Sequence, residues 1–509
     1  MKNDPTESSP NKIFLRDLKF EPQKPQILRH ENKPHSQLWK ETSQGVGLVR
    51  FFMTRSEAGL RSVPEVELVR AFCPETSLEE LQSSKSCVTS ENVALLDDRT
   101  NDGTTSISRG YLGPLNARNL YLELQKERFP AEDDRSGENP GGNAPQAKEQ
   151  APKLNADRRL VFITDLNRWT MMALISTVSK SQAGALRDSF YRHMAFESFI
   201  GLVTPHTGFP TFQLAFDLPF FALRTAPRHR RPFDPREMED TGTLRRVTDL
   251  TFLSRRPKGS APLAEVDCLC EAQTTVLITG LDPWRWVAYC FVDTYFDPED
   301  TRESVDDYHT DVVTDGDGIC FQPDPLVAAE LDANLPILCP REYFLFVLRR
   351  RLQDVTYEWH SLTRKMRRRI DAYINSCPIT SVDAPSHPDP DEAPLVRQSR
   401  DWAVQTRRIL RKLIQNLTTI INYWESFNVE VTLGPMNGRL AMCLPPIRAN
   451  FKQLGIFLQE LEFLRQVCDD YDDGLSFHLT HEGTRDAKVQ ARIAGFGQIM
   501  TFVMLCLSY

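Results

Sequence analysis

The chain has 509 residues, too many for one ordinary core and enough for two to four units of roughly 100 to 200 residues each. Lys and Arg number 61 against 69 Asp and Glu, a formal net charge of -8, so no general positive field draws polyanions and nucleic-acid binding is not expected. A hydrophobic share of 40% with 29 Phe can build a core, whereas 34 Pro against 24 Gly point to long irregular connections.

Residues 1–45 are mostly polar and Pro-rich and predict a disordered tail, since they cannot bury enough apolar surface to offset ordering entropy. They also lack the apolar run of a secretory signal, and the 11 cysteines are odd in number and scattered, which points to a reduced intracellular protein, cytoplasmic or membrane-associated. Residues 46–130 form a small, poorly defined region in which Val46–Met53 reads as a strand and Leu112–Phe129 as a short helix. Residues 131–156 carry Asp, Glu, Gly, Pro and Asn with almost no apolar anchor and read as a linker open to protease.

From about Leu154 an α/β unit follows, with its domain assigned to residues 157–335. Leu160–Leu166 reads as a buried strand whose terminal Asp165 would cap a helix over Asn167–Val178. Phe212, Leu214, Phe216, Leu218 and Phe220 recur at period two, the pattern of a half-buried strand. Arg246–Leu253 and Thr274–Thr279 predict further strands, and Trp284–Phe296 is apolar enough for core.

Residues 336–480 predict a bundle of long helices. Phe344, Leu348, Leu352, Val355, Trp359, Leu362, Met366, Ile370 and Tyr373 keep a helical period behind Pro340. Proline and acids at Pro378–Pro394 predict a loop. Trp402, Thr406, Ile409, Leu413, Leu417, Ile420, Trp424 and Phe427 mark a second stripe. Val431–Pro446 reads as a break, and Ile447 to Leu475 carries a third stripe at nearly heptad spacing. The fold class expected is therefore α/β or α+β: a mixed-sheet domain followed by a stalk-like long-helix bundle, with a disordered N-terminus and linkers.

Four constellations invite a chemical reading. The basic face of Arg349, Arg350, Arg351, Arg364, Lys365, Arg367, Arg368 and Arg369 gives Arg349–Arg369 eight cations against two acids. It fits either an anionic membrane surface or a solvated helix face paired with acids, and the second reading is preferred. Asp297–Asp317 holds nine acids, and Asp306, Asp307, Asp311, Asp315 and Asp317 are weak candidates for a hard cation, but the loop lacks EF-hand spacing. Cys268 and Cys270 lack a second pair and read as idle thiols. His193 and His206 have no nucleophile elbow, phosphate loop, dinucleotide fingerprint or zinc-protease helix beside them, so no catalytic residue and no enzymatic activity are expected.

Residues 481–509 read as the stalk end and an apolar tail. Ile493–Tyr509 has no charged residue and follows Arg485, Lys488 and Arg492. A membrane helix needs about 17 to 25 residues, so this segment could barely span once. Phe496, Ile499, Met500, Phe502, Val503, Met504 and Leu505 are the side chains expected to meet a membrane or another copy.

The strings LVFITDL at Leu160, ALRDSFYRHMAFESFIG at Ala185, TGFPTFQLAFDLPFFALR at Thr207, WRWVAYCFVDTYFD at Trp284 and DANLPILCPREYFLFVLRRRLQDVTYEW at Asp332 resemble a fungal protein family of unknown function. In that family a soluble domain leads into long helices and often into a region similar to CorA-type divalent-cation transporters. The resemblance covers roughly Leu154–Tyr509 and implies a cytosolic α/β domain, a stalk over Ile447 to about Phe502, and Mg²⁺ as the ion. No resident cofactor is expected. The transporters' Gly-Met-Asn signature is absent, since Gly434-Pro435-Met436-Asn437 is interrupted by Pro435 and precedes the stalk. No second membrane segment follows in these residues. The expectation is a truncated or degenerate relative that does not conduct; the alternative is a soluble, oligomeric helical scaffold or interaction protein. Homo-oligomerisation and contact with a membrane surface are the partners expected.

Overall fold

The computed structural model describes residues 33–42, 45–54, 63–74, 76–83, 91–101, 106–108, 112–126, 156–204, 211–239, 242–254, 265–310, 313–314, 320–377, 392–427, 429 and 439–507. The tail to residue 32, residues 131–155 of the linker, most of the Pro378–Pro394 segment and residues 431–438 of the Val431–Pro446 segment lie outside them.

Nine strands make one mixed sheet: β1 (Ala94–Asn101), β2 (Ser106–Ser108), β3 (Leu112–Leu115), β4 (Arg158–Thr164), β5 (Phe199–Val203), β6 (Phe212–Pro227), β7 (Val247–Asp249), β8 (Glu265–Gly280) and β9 (Trp286–Val292). The order is β2-β1-β4-β9-β8-β6-β5, with β3 beside β1 and β7 beside β8. Neighbours run antiparallel except β4 and β9, which are parallel. The region read as a separate unit over residues 46–130 supplies β1, which lies along β4 with Ala94 opposite Ile163, so it shares the sheet of the α/β domain.

Both faces of the sheet are covered. One carries α1 (His35–Thr42), α2 (Leu48–Thr54), α3 (Val63–Phe72), α4 (Leu78–Gln82), α5 (Ala117–Leu124), α6 (Arg168–Thr177) and α7 (Ala183–Ala195); the other carries the long helices. Along β9, Trp286, Ala288 and Cys290 enter one core while Val287, Tyr289 and Phe291 enter the other. The period-two residues of β6 do share one core, but the strand is not half-buried: every residue from Phe212 to Leu223 is buried, because α7 covers its second face. The Thr274–Thr279 strand is part of the longer β8, and Arg246–Leu253 divides into β7 and a 3-10 turn at Thr251–Leu253.

Three local expectations need correction. Val46–Met53 is not a strand; Leu48, Val49, Phe52 and Met53 bury one face of α2, and a short apolar run fits either period until a neighbour selects one. Residues 35–42 of the stretch read as disordered form α1, anchored where the His35 amide donates to the Val178 carbonyl at 2.9 Å. Asp165 does not cap α6. Asn167 does, its side-chain oxygen accepting from the Trp169 and Thr170 amides at 3.0 Å each. Asp165 instead turns the chain at φ 47° and accepts from the Thr294 amide, the Thr294 hydroxyl and the Tyr295 amide, joining the ends of the two parallel strands.

The bundle consists of α8 (Pro340–Ser376), α9 (Glu392–Ser426) and α10 (Arg439–Leu507), of 37, 35 and 69 residues. Contacts of His360 with Phe457 and of Cys377 with Tyr471 make α8 and α10 parallel, while those of Trp424 with Phe451 and of Trp402 with Tyr471 make α9 antiparallel to α10. The break expected up to Pro446 does not reach that far: Pro445 and Pro446 lie inside α10. Each forfeits one backbone hydrogen bond, and burial of Cys443, Leu444 and Ile447 in the bundle core keeps the turn helical.

Candidate functional site

Three surfaces and one interior network carry the chemistry. The first surface is α10. Its stripe from Ile447 through Leu454, Leu461, Leu464 and Cys468 to Leu475 is buried against α8 and α9. Beyond Leu475 the helix continues for 32 residues, about 48 Å at 1.5 Å per residue. Of the residues expected to meet a membrane or a second copy, Met500 is 60% exposed. The side chains of Phe496, Ile499, Phe502, Val503, Met504 and Leu505 lie outside the described residues. Among the described residues no helix is long and apolar enough to cross a membrane.

The basic run on α8 divides into distinct parts. Arg351 is fully enclosed: it donates to both carboxylate oxygens of Glu303 at 3.0 Å and to the backbone carbonyls of Leu326 and Pro325. Arg349 and Arg350 share Glu330, and Arg350 also pairs with Asp354 at 2.7 Å. Lys365 donates to the Leu223 carbonyl, Arg367 pairs with Glu460 at 2.6 Å and Arg369 with Asp267 at 2.6 Å. Arg364 and Arg368 face solvent. Most of these cations therefore bind the acids and carbonyls of the chain itself.

Within the acidic loop, Asp306 and Asp307 are exposed, and the Asp307 carboxylate is used locally, accepting from the Ser304 amide at 2.9 Å. Glu303 is committed to Arg351 and Tyr308, and Asp297 to Arg224. Asp311, Asp315 and Asp317 lie outside the described residues, as does His206. Among the described residues no group of three or more His, Cys, Asp or Glu side chains is arranged to hold a metal ion. Cys268 and Cys270 are buried on β8, and burial pushes the Cys270 thiol up to about 12, which keeps it unreactive.

The interior network is not evident from local sequence pattern. Asp293, at the end of β9, accepts from Arg236 and Arg245 at 2.6 Å each and from the Gln273 amide at 2.9 Å. Asp234 accepts from both arginines' backbone amides and from the Arg236 side chain. Asp217 of β6 accepts from Arg192 at 2.6 Å and from the Thr275 hydroxyl at 2.8 Å. That hydroxyl oxygen then accepts from His193 Nδ1, 3.0 Å away, which leaves His193 Nε2 unprotonated, 3.7 Å from Asp293. Burial, and then the Arg245 charge, hold His193 well below its ordinary range. Burial opposes the Asp293 charge, but Arg236 and Arg245 outweigh it and keep that carboxyl low. Burial pushes Asp217 and Asp165 up. His193, Asp217 and Asp293 are buried, so the network holds α7 and the 234–246 excursion to the sheet. The one trace in the sequence is Gln213 and Asp217 set between the aromatic and aliphatic residues of β6.

No family model matches the chain, and no curated protein does. Among solved structures, the full-length CmaX protein is similar over 68% of this chain and 76% of its own, at 14% identity and a TM-score of 0.32. The cytoplasmic domain of ZntB from Vibrio parahaemolyticus RIMD 2210633 is similar over 62% of this chain and 91% of its own, at 9% identity and a TM-score of 0.22. Both are distant likenesses.

Proposed function

We propose that the chain is a non-enzymatic, CorA-like protein built as the cytosolic domain and stalk of a divalent-cation transporter relative, and that as given it does not conduct Mg²⁺. The observation that carries the reading is α10, whose buried stripe ends at Leu475 and which runs about 48 Å further, with Ile493 and Met500 exposed at 66% and 60%. An isolated helix of this composition, with Gly483, Gly495 and Gly497, draws most of its stability from packing, so its end needs a second surface. That surface is a membrane or another copy of the chain.

The same geometry separates the tail from the basic run. Arg367 is level with Glu460, 33 residues before Ile493, so the arginines of α8 stand about 50 Å or more from the apolar end. A membrane holding that end straight ahead is beyond the reach of their charge, since screening takes hold within about 8 to 10 Å. Membrane contact in this reading belongs to the tail alone.

Flotation with anionic and neutral liposomes tests it. The intact chain should float, and the chain deleted after Arg492 should remain at the bottom and be more soluble. Mg²⁺ flux into liposomes carrying the purified chain would overturn the non-conducting part. A second reading, a soluble helical scaffold, is favoured by the exposed Ile456, Phe463 and Phe477 on α10. A monodisperse oligomer with no liposome binding would select it.

A further inference from the structure

Opposite its buried stripe, α10 carries a second line of residues. Met442, Ala449, Ile456, Phe463, Asp470 and Phe477 fall at every seventh position and all are exposed, Met442 at 74%, Ile456 at 46%, Phe463 at 58% and Phe477 at 66%. A seven-residue repeat is the spacing that keeps one helix face turned toward a partner helix over several turns. Large apolar side chains repeated in this way on an outer helix mark an interaction surface, unlike apolar residues scattered singly.

We propose that this face binds a second copy of the chain, with the two α10 helices antiparallel about a two-fold axis level with Leu461. Charge chooses the partner and the direction. Lys452 is exposed on the same face toward its N-terminal side and Asp470 toward its C-terminal side. In a parallel, in-register pair Lys452 would meet Lys452 and Asp470 would meet Asp470. Run the other way, each Lys452 lies level with the Asp470 of the other copy, twice over, and Ile456 and Phe463 of both copies meet at the centre. A two-fold interface uses one self-complementary patch in this manner, and opposite charges at its ends fix the register. The inference goes beyond the reading above: it concerns the face from Met442 to Phe477, not the end of α10, and does not depend on the segment after Arg492. Such a pair sends the two stalk ends in opposite directions, unlike a ring of parallel stalks around a pore.

Sedimentation of the full chain in a mild detergent that covers its apolar end should find a dimer. Phe463→Glu should leave a monomer with unchanged far-UV circular dichroism. Lys452→Asp and Asp470→Lys should each weaken the dimer about tenfold, since each turns two attractive pairs into repulsive ones. Mixing the two variants restores both pairs and should restore the parent affinity. Persistence of the dimer after deletion beyond Arg492 supports the interface; its loss on that deletion overturns it. So would a monomeric parent chain, or a Lys452→Asp variant that associates as tightly as the parent, which is the result a parallel pair predicts.

Discussion

At the residue scale, the chain uses arginines and carboxylates as interior fasteners. His193 shows the cost. The unfolded chain takes up a proton on this imidazole as pH falls below its ordinary value of 6.5, and the folded chain does not. Stability from this group is present above that pH and is lost as pH falls, by about 1.4 kcal/mol per unit. His193→Gln, which can still donate to Thr275, should flatten the fall between neutral pH and about pH 5.5 in urea denaturation. An unchanged slope would assign the acid sensitivity to other groups. Arg351 and its neighbours on α8 make a second contrast. Arg351→Met strips Glu303 and two carbonyls of their donor and should cost about 3 to 5 kcal/mol. Arg367→Gln and Arg369→Gln break pairs whose arginines are 48% and 43% exposed and should cost about 0 to 1 kcal/mol each by the same assay.

At the element scale, the bundle depends on a few aromatic junctions where all three helices meet. Trp402 of α9 lies face to face with Tyr373 of α8, ring centroids 3.9 Å apart, and edge-on to Tyr471 of α10. Trp402→Ala removes the shared ring and leaves a cavity, so chemical denaturation should show a loss of about 3 to 5 kcal/mol. A loss below about 1 kcal/mol would mean that the helices close over the gap. The same junction shows why stripes alone identify helices well. Each stripe is dictated by side chains three and four positions apart, and every residue that the α8 period marks, Phe344 through Tyr373, is buried.

At the scale of the whole molecule, the sheet joins segments that look separate along the chain. Asp97 and Asp98 of β1 bind Arg158 and Arg159 of β4, and α1 to α5 belong to the helical layer on one face of the sheet. A fragment starting at residue 156 would deprive Arg159 of Asp98, leave Arg158 with only its longer pair to Asp324 at 3.9 Å, and put one core face in water. It should be insoluble when produced alone, and co-production with residues 1–130 should restore it. A soluble, cooperatively folding fragment would show instead that the first 130 residues are an appendage.

Sequence alone determined the elements whose signal repeats within one helix or strand: the stripes of α8, α9 and α10, the period-two line of β6, and the α/β domain followed by a bundle. Tertiary structure alone decided which faces those elements bury. Phe212 to Phe220 alternate as a half-buried strand would, yet α7 covers the polar side and Asp217 is met by Arg192. Val46–Met53 became helix because its neighbours fit a helical face, and Asp165 was taken from helix capping by the Thr294 and Tyr295 amides, over a hundred residues away. Ion pairs such as Asp97 with Arg158 and Arg224 with Glu358 join residues 61 and 134 positions apart. A repeat of 2 or 3.6 residues contains no information about such partners, because they meet only when the chain has closed its sheet and laid α8 across it.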